Sequence, residues 1–249
     1  MSYFSLNGKK NTIIPGLVLS AIPPISMPKN RYKITEVPGR DGDIVEKLGY
    51  SAYDKEILIG IDEKTDVNDV NKYFKDNASG KLVFSNEPDL YYDYEIIEAI
   101  NYEQLIKFKT ATVTFHVQPF KYLDYEPSFI FNNIPNNEEL LVSNQGNYDS
   151  KPIIKISLSD YSQINNEDKI SNLYVNDNLI ATIDLTTAAG DIIIDSTKED
   201  AYDSNNLLKN TSMNGQFPIF KPGINKIRFS NVNEFSINSI TVNPKSRWL

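Results

Sequence analysis

Apolar and polar residues alternate along most of this chain with a period of two. The clearest case is 109–118, where Ala111, Val113, Phe115 and Val117 interleave with Thr110, Thr112, Thr114 and His116. Successive side chains of a strand point to opposite faces, so this pattern predicts a strand with one buried and one wet face. Further strands are predicted at 56–61, 81–85, 94–101, 152–158, 173–175, 180–185, 191–195, 226–230 and 236–242. Turn residues separate them at short intervals, among them Asn176-Asp177-Asn178, Ala189-Gly190, Pro222-Gly223 and the stretch 231–233. Such residues fix φ or tolerate the left-handed region. Many short strands with frequent turns predict a mainly all-β chain built from sandwiches or barrels, not from βαβ units.

The stretch 66–76 has the helical period instead. Val67, Val70 and Phe74 form one apolar stripe, Thr65 or Asp66 can cap the start, and Asp66 and Asp69 place negative charge in the first turn, where it suits the helix dipole. Asn77 and Gly80 end it. One isolated helix covers a sheet; it does not make an α/β fold.

Composition changes partway along. Residues 1–128 hold 8 asparagines and the rest 20, clustered at Asn132-Asn133, Asn136-Asn137, Asn165-Asn166 and Asn205-Asn206. This shift, with Glu126-Pro127 and the polar stretch 132–139, predicts a domain boundary near 124–135, hence domains at 1–124 and 125–249. The apolar run 13–22 follows Lys9 and Lys10 but is broken by Pro15-Gly16, which argues against a secretory leader. No apolar run reaches the ~18 residues of a membrane helix.

Charge and reactive residues narrow the function. There is no cysteine, His116 is the single histidine, and the formal net charge is −8. Thiol nucleophiles, cysteine-built metal sites and two-histidine zinc motifs are excluded. An acidic chain is also poorly equipped to neutralise phosphates, so no specific nucleic-acid binding is expected. His116 lies on the polar face of its strand with no nucleophile elbow elsewhere. The acid pairs Glu138-Glu139 and Glu199-Asp200 lie in polar, loop-like stretches without the cleft a glycosidase needs. The chain reads as non-enzymatic, with no catalytic residue, no metal site and no cofactor.

The densest local signal is Pro38-Gly39-Arg40-Asp41-Gly42-Asp43. Pro-Gly suits the centre of a type II turn and Asp-Gly a second tight turn after it. Asp41 and Asp43 could be read as calcium ligands, but residue 52, where an EF-hand loop needs a bidentate Glu, is Ala52. The loop reads as a rigid, exposed contact. Arg247 and the single tryptophan, Trp248, stand at the C-terminal end, where Trp248 reads as an anchor for the tail of the chain rather than a sugar platform.

Taken in order, the segments resemble the distal tail proteins (Dit) of phages of Gram-positive bacteria. In the first half the resemblance rests on Phe4-Ser5-Leu6-Asn7-Gly8, Val37-Pro38-Gly39-Arg40-Asp41-Gly42, Leu48-Gly49-Tyr50, the helix, Gly80-Lys81-Leu82-Val83-Phe84 and Tyr91-Tyr92-Asp93-Tyr94. In the second half it rests on Asn144-Gln145-Gly146, Ser150-Lys151-Pro152-Ile153-Ile154, Leu173-Tyr174-Val175-Asn176, Ile194-Asp195-Ser196, Gly215-Gln216-Phe217-Pro218, Pro222-Gly223-Ile224-Asn225 and the ending from Pro244 to Leu249. The resemblance implies an N-terminal β-sandwich with one α-helix and a C-terminal galectin-like jelly-roll β-sandwich. It implies a homohexameric ring at the virion tail tip, assembled in the host bacterial cytoplasm. That ring joins the tail tube protein to the tail-associated hub protein, carries receptor-binding or baseplate proteins, and passes DNA through its channel. Pro38, Gly39, Arg40, Asp41 and Gly42 are then expected at an assembly interface, and Arg247 and Trp248 as a structural anchor. The alternative is a cell-wall glycan-binding adhesion module using the C-terminal jelly roll.

Overall fold

The computed structural model describes residues 2–104, 108–158, 169–188 and 191–249. The chain divides into two compact units, Met1–Asp124 with Leu249, and Tyr125–Trp248.

The first unit carries β1 (Phe4–Leu6), β2 (Lys9–Lys10), β3 (Leu17–Leu19), β4 (Asn30–Glu36), β5 (Asp43–Tyr50), β6 (Tyr53–Asp62), α1 (Val67–Asp76), β7 (Ser79–Phe84), β8 (Leu90–Glu95), β9 (Tyr102–Gln104) and β10 (Phe108–Leu123). Its main sheet runs β2-β1-β7-β8-β10-β6-β3, with β9 also on β10. The pairings are antiparallel, and β10 against β6 is the longest, from Phe108↔Asp62 to Val117↔Tyr53. The alternation read at 109–118 thus becomes the spine of the unit. Ala111, Val113, Phe115 and Val117 are all buried, at 3% exposure or less.

The sheet bends over on itself. In strand order β1 and β10 stand three places apart, about 14 Å in a flat sheet. Yet the rings of Phe4 and Phe115 are only 6.2 Å apart, and Phe4 also stacks 6.1 Å from Phe74 of the helix. One bent sheet and one helix therefore enclose a single core, which is how this sandwich is made. The helix starts as predicted: the Asp66 carboxylate accepts from the Asn68 backbone N–H at 2.9 Å. Its buried stripe is Val70, Tyr73 and Phe74. Tyr73 earns its place by donating its hydroxyl to the Lys9 carbonyl at 2.8 Å.

Burial raises the hydroxyl pKa of Tyr73, Tyr92 and Tyr94 well above the ordinary 10.0. A group whose folded pKa is raised contributes stability below its unfolded pKa and loses it as pH climbs past that value. The first unit should therefore lose stability steeply above pH 10, the phenolate signals of Tyr73, Tyr92 and Tyr94, assigned by changing each to Phe, rising together with the loss of its circular dichroism. Phenolate formation at these three residues well ahead of unfolding would contradict this.

The second unit carries β11 (Phe129–Ile134), β12 (Glu139–Asn144), β13 (Ile153–Ser157), β14 (Ile170–Val175), β15 (Asn178–Asp184), β16 (Asp191–Asp195), β17 (Asp200–Tyr202), β18 (Met213–Gly215), β19 (Gly223–Asn231) and β20 (Ile237–Asn243). They form two five-stranded antiparallel sheets, ordered β11-β20-β13-β16-β17 and β12-β19-β14-β15-β18. The inward positions of both sheets, such as Ile154, Ile156, Leu173, Ile183, Ile227, Phe229 and Ile240, make one buried core. The Asn176-Asp177 turn joins β14 to β15 with both residues at positive φ, 49° and 66°, as a two-residue hairpin of the primed type requires.

The asparagine excess of this half has a physical cause. Asn133, Asn137, Asn176, Asn206 and Asn233 all sit at positive φ. Others are buried and hold loops from inside. Asn144, 1% exposed, donates to the carbonyls of Tyr148 and Phe220 and accepts from the Gly146 N–H. Asn225 does the same work with Lys221 and Gly223.

Two expectations change. The strand expected at 94–101 is β8, which ends at Glu95; the Ile96 N–H still reaches the Ala78 carbonyl, one rung beyond the Ser79↔Glu95 pair, and Ile97 after it is exposed. The polar stretch 132–139 is not a linker: β11 runs into it and β12 starts from it, with Asn133 and Asn137 turning the chain between. The predicted turn Ala189-Gly190 and the pair Asn165-Asn166 lie outside the described residues.

Candidate functional site

The loop 38–43 sits at the tip of a long arm. Among the described residues, strands β4 and β5 pair only with each other, as a two-stranded sheet from Asn30↔Tyr50 to Glu36↔Asp43. The tip is a type II turn, with the Arg40 N–H donating to the Val37 carbonyl at 3.1 Å and Gly39 at φ +82°. Gly42 follows at φ +74°. A Cβ on either glycine would meet nothing within 4 Å, so glycine is needed there for φ alone. Pro38, Gly39, Arg40, Asp41 and Gly42 are all exposed.

What the sequence reading missed is the arm behind the tip. Ile34 and Val45 stand opposite one another at 62% and 58% exposure. Tyr32, Ile44 and Leu48 are also exposed large side chains of the arm, and Ile25 and Met27 lead into it. Both faces are wet, so neither shows the clean alternation that marks a half-buried strand. An isolated two-stranded hairpin is marginal in water, and apolar side chains exposed along it mark a surface made for contact. The readable signal was Pro38-Gly39 flanked on each side by β-branched and aromatic residues. Within the arm Lys33 and Glu46 lie 4.0 Å apart and Lys47 donates to the Tyr50 hydroxyl at 3.2 Å, and near its root the Tyr50 ring packs edge-on against Phe120 at 5.9 Å.

The outward face of β6 and β10 has the opposite character. Asp54, Glu56 and Leu58 of β6 stand opposite His116, Thr114 and Thr112 of β10, and Glu95 of β8 lies beside His116. His116 Nδ1 is 2.7 Å from Asp54 Oδ1, so the histidine serves a strand-to-strand contact. Glu56, Glu98 and Glu103 with Leu58 and Thr112 line a shallow depression of about 330 Å³. The face is threonine and carboxylate, with His116 its lone basic group among these residues.

At the other end of the chain, the Arg247 Nε–H donates to the Asp149 carbonyl, and its guanidinium lies 5.2 Å from the centre of the Tyr148 ring. A Cβ on Gly146 would come within 2.1 Å of the Arg247 carbonyl oxygen, so this segment lies directly on the glycine. Trp248 is half-buried.

The solved structure of SPP1 Dit (gp 19.1), described as a paradigm of the hub adsorption apparatus of Gram-positive-infecting phages, superposes on the whole chain. The TM-score is 0.70 at 15% identity, covering 100% of both chains. The chain has the fold of SPP1 Dit. A component of the phage p2 baseplate in its activated conformation with Sr follows at TM-score 0.48 and 10% identity over 98% of each chain, too distant to bear on this chain. No protein-family model and no curated protein matches the sequence. That fold is mainly β with one helix, and in this chain the tip loop and the acidic face both belong to the first unit.

Proposed function

We propose that this chain belongs to the Dit family and is a non-enzymatic structural protein of a phage tail tip. The observation that carries this reading is the arm β4–β5, wet on both faces and lined with apolar side chains, on a chain whose whole length follows the Dit fold. Six copies form a ring through their first units, with the arm and its tip, Pro38 to Gly42, crossing to a neighbouring copy. The acidic face of β6 and β10 turns toward the channel, where carboxylates and a net charge of −8 repel DNA phosphates and let the duplex slide through unheld. The ring joins the tail tube protein to the hub protein. The second unit, whose two five-stranded antiparallel sheets fit a galectin-like jelly roll, stands available for receptor-binding or baseplate proteins. Assembly takes place in the host bacterial cytoplasm.

Electron micrographs of the purified chain at high concentration should show six-fold rings with an open centre. A strictly monomeric state by light scattering, with tube and hub proteins also present, would overturn the proposal.

A further inference from the structure

Residues 20–29 connect β3 to β4 and so carry the arm. Pro23, Pro24 and Pro28 fall within them and have no backbone N–H to offer. Between its ends the strap is accordingly held through its carbonyls. Lys55 Nζ donates to the Pro24 carbonyl at 2.8 Å and the Tyr53 hydroxyl to the Ser26 carbonyl at 3.3 Å. At its two ends the Ser20 N–H donates to the Leu58 carbonyl and the Ser51 N–H to the Lys29 carbonyl.

Lys55 occupies a core-facing position of β6, in line with Ile57, Ile59 and Ile61, and is 4% exposed. Its ammonium lies 5.0 Å from the Tyr92 ring and 5.6 Å from the Tyr53 ring. The neighbouring carboxylate, Glu87, is already taken by Lys121 at 2.6 Å and by the Tyr92 hydroxyl at 3.3 Å. Burial pushes the Lys55 ammonium below its ordinary pKa, Lys121 pushes the same way, and Glu87 opposes them. A core position chosen for stability alone is filled as well or better by an apolar side chain of similar volume. Lysine adds one thing methionine lacks, a charged donor aimed at the strap.

We infer that Lys55 is a positioning residue for the arm, a latch that fastens the strap to β6 and fixes the pose in which β4–β5 is offered to a second copy of the chain. The fastening stands on these contacts; only its consequence for self-association rests on the ring reading above.

Lys55→Met in the full chain separates latch from packing. The variant should melt at or above the wild-type temperature. Trypsin cleavage after Lys29 and exchange of the Ser51 amide should each quicken about tenfold or more, as expected for losing a hydrogen bond from a charged donor, and self-association should weaken in step. Tyr53→Phe should show the same strap effects at smaller size. Unchanged cleavage and exchange in both variants would overturn the latch. So would a fall in melting temperature with exchange quickened evenly across the sheet, which marks a packing role. If the strap loosens while the wild-type chain never self-associates, the latch stands and the ring reading fails.

Discussion

Serine at both Ile34 and Val45 is expected to leave the chain folded and to abolish ring formation. The two side chains face each other across β4 and β5 and are more than half exposed, so their loss removes little packing within one copy. Exposed substitutions usually stay within about 0.5 kcal/mol in stability. In a ring the same surface is removed from water at every subunit contact. Burying a large aliphatic side chain is worth about 1.5–3 kcal/mol in full. The exposed part of two such side chains comes to about 2–4 kcal/mol per contact, or about 30- to 1,000-fold in affinity. Sedimentation or light scattering reads this directly, with thermal melts as the control. Unchanged self-association of the double variant would remove the arm from the interface.

The largest stability effect is expected at Glu87. Its carboxylate and the Lys121 ammonium meet at 2.6 Å with side chains 15% and 8% exposed, and Lys55 lies close enough to feel both. Glu87→Ala leaves two lysines in a largely dry site without their carboxylate. Removing one partner of a buried pair costs about 3–5 kcal/mol. Chemical denaturation should show a loss of this size, confined to the first unit. The double variant Glu87→Leu with Lys121→Met should recover most of it, because an apolar replacement of the whole pair is close to neutral. A loss below about 1 kcal/mol for the single variant, the size of an exposed pair, would mean that water screens the site.

Much of the fold was legible because burial leaves a period. Residues 109–118 have one face in the core and one in water, and β10 follows them while extending further at its C-terminal end. The helix was legible from Val70, Phe74 and the Asp66 cap. The arm was not, because a strand wet on both faces has no reason to alternate. Only its turn, Pro38-Gly39, was visible, and the loop was singled out without the strands that hold it. Lys55 was invisible for the reverse reason. In a sequence it reads as a polar interruption in the run Tyr53, Lys55, Ile57, Ile59, Ile61, and only a strap carbonyl brought over the end of the strand gives it a partner. The asparagine excess was read as a mark of loops, which is half of its meaning. The other half is interior, where Asn144, Asn225 and Asn231 bond the backbone of turns and strand ends.

Those interior amides set a clock on the second unit. An asparagine side chain is among the thermolabile groups of a protein, and hydrolysis exchanges its two N–H donors for a carboxylate. At Asn144 that single change would remove the side-chain donor shared by the Phe220 and Tyr148 carbonyls and leave a charge where 1% of the residue is exposed. One such exchange can undo the core of the second unit without prior unfolding, and heat hastens it.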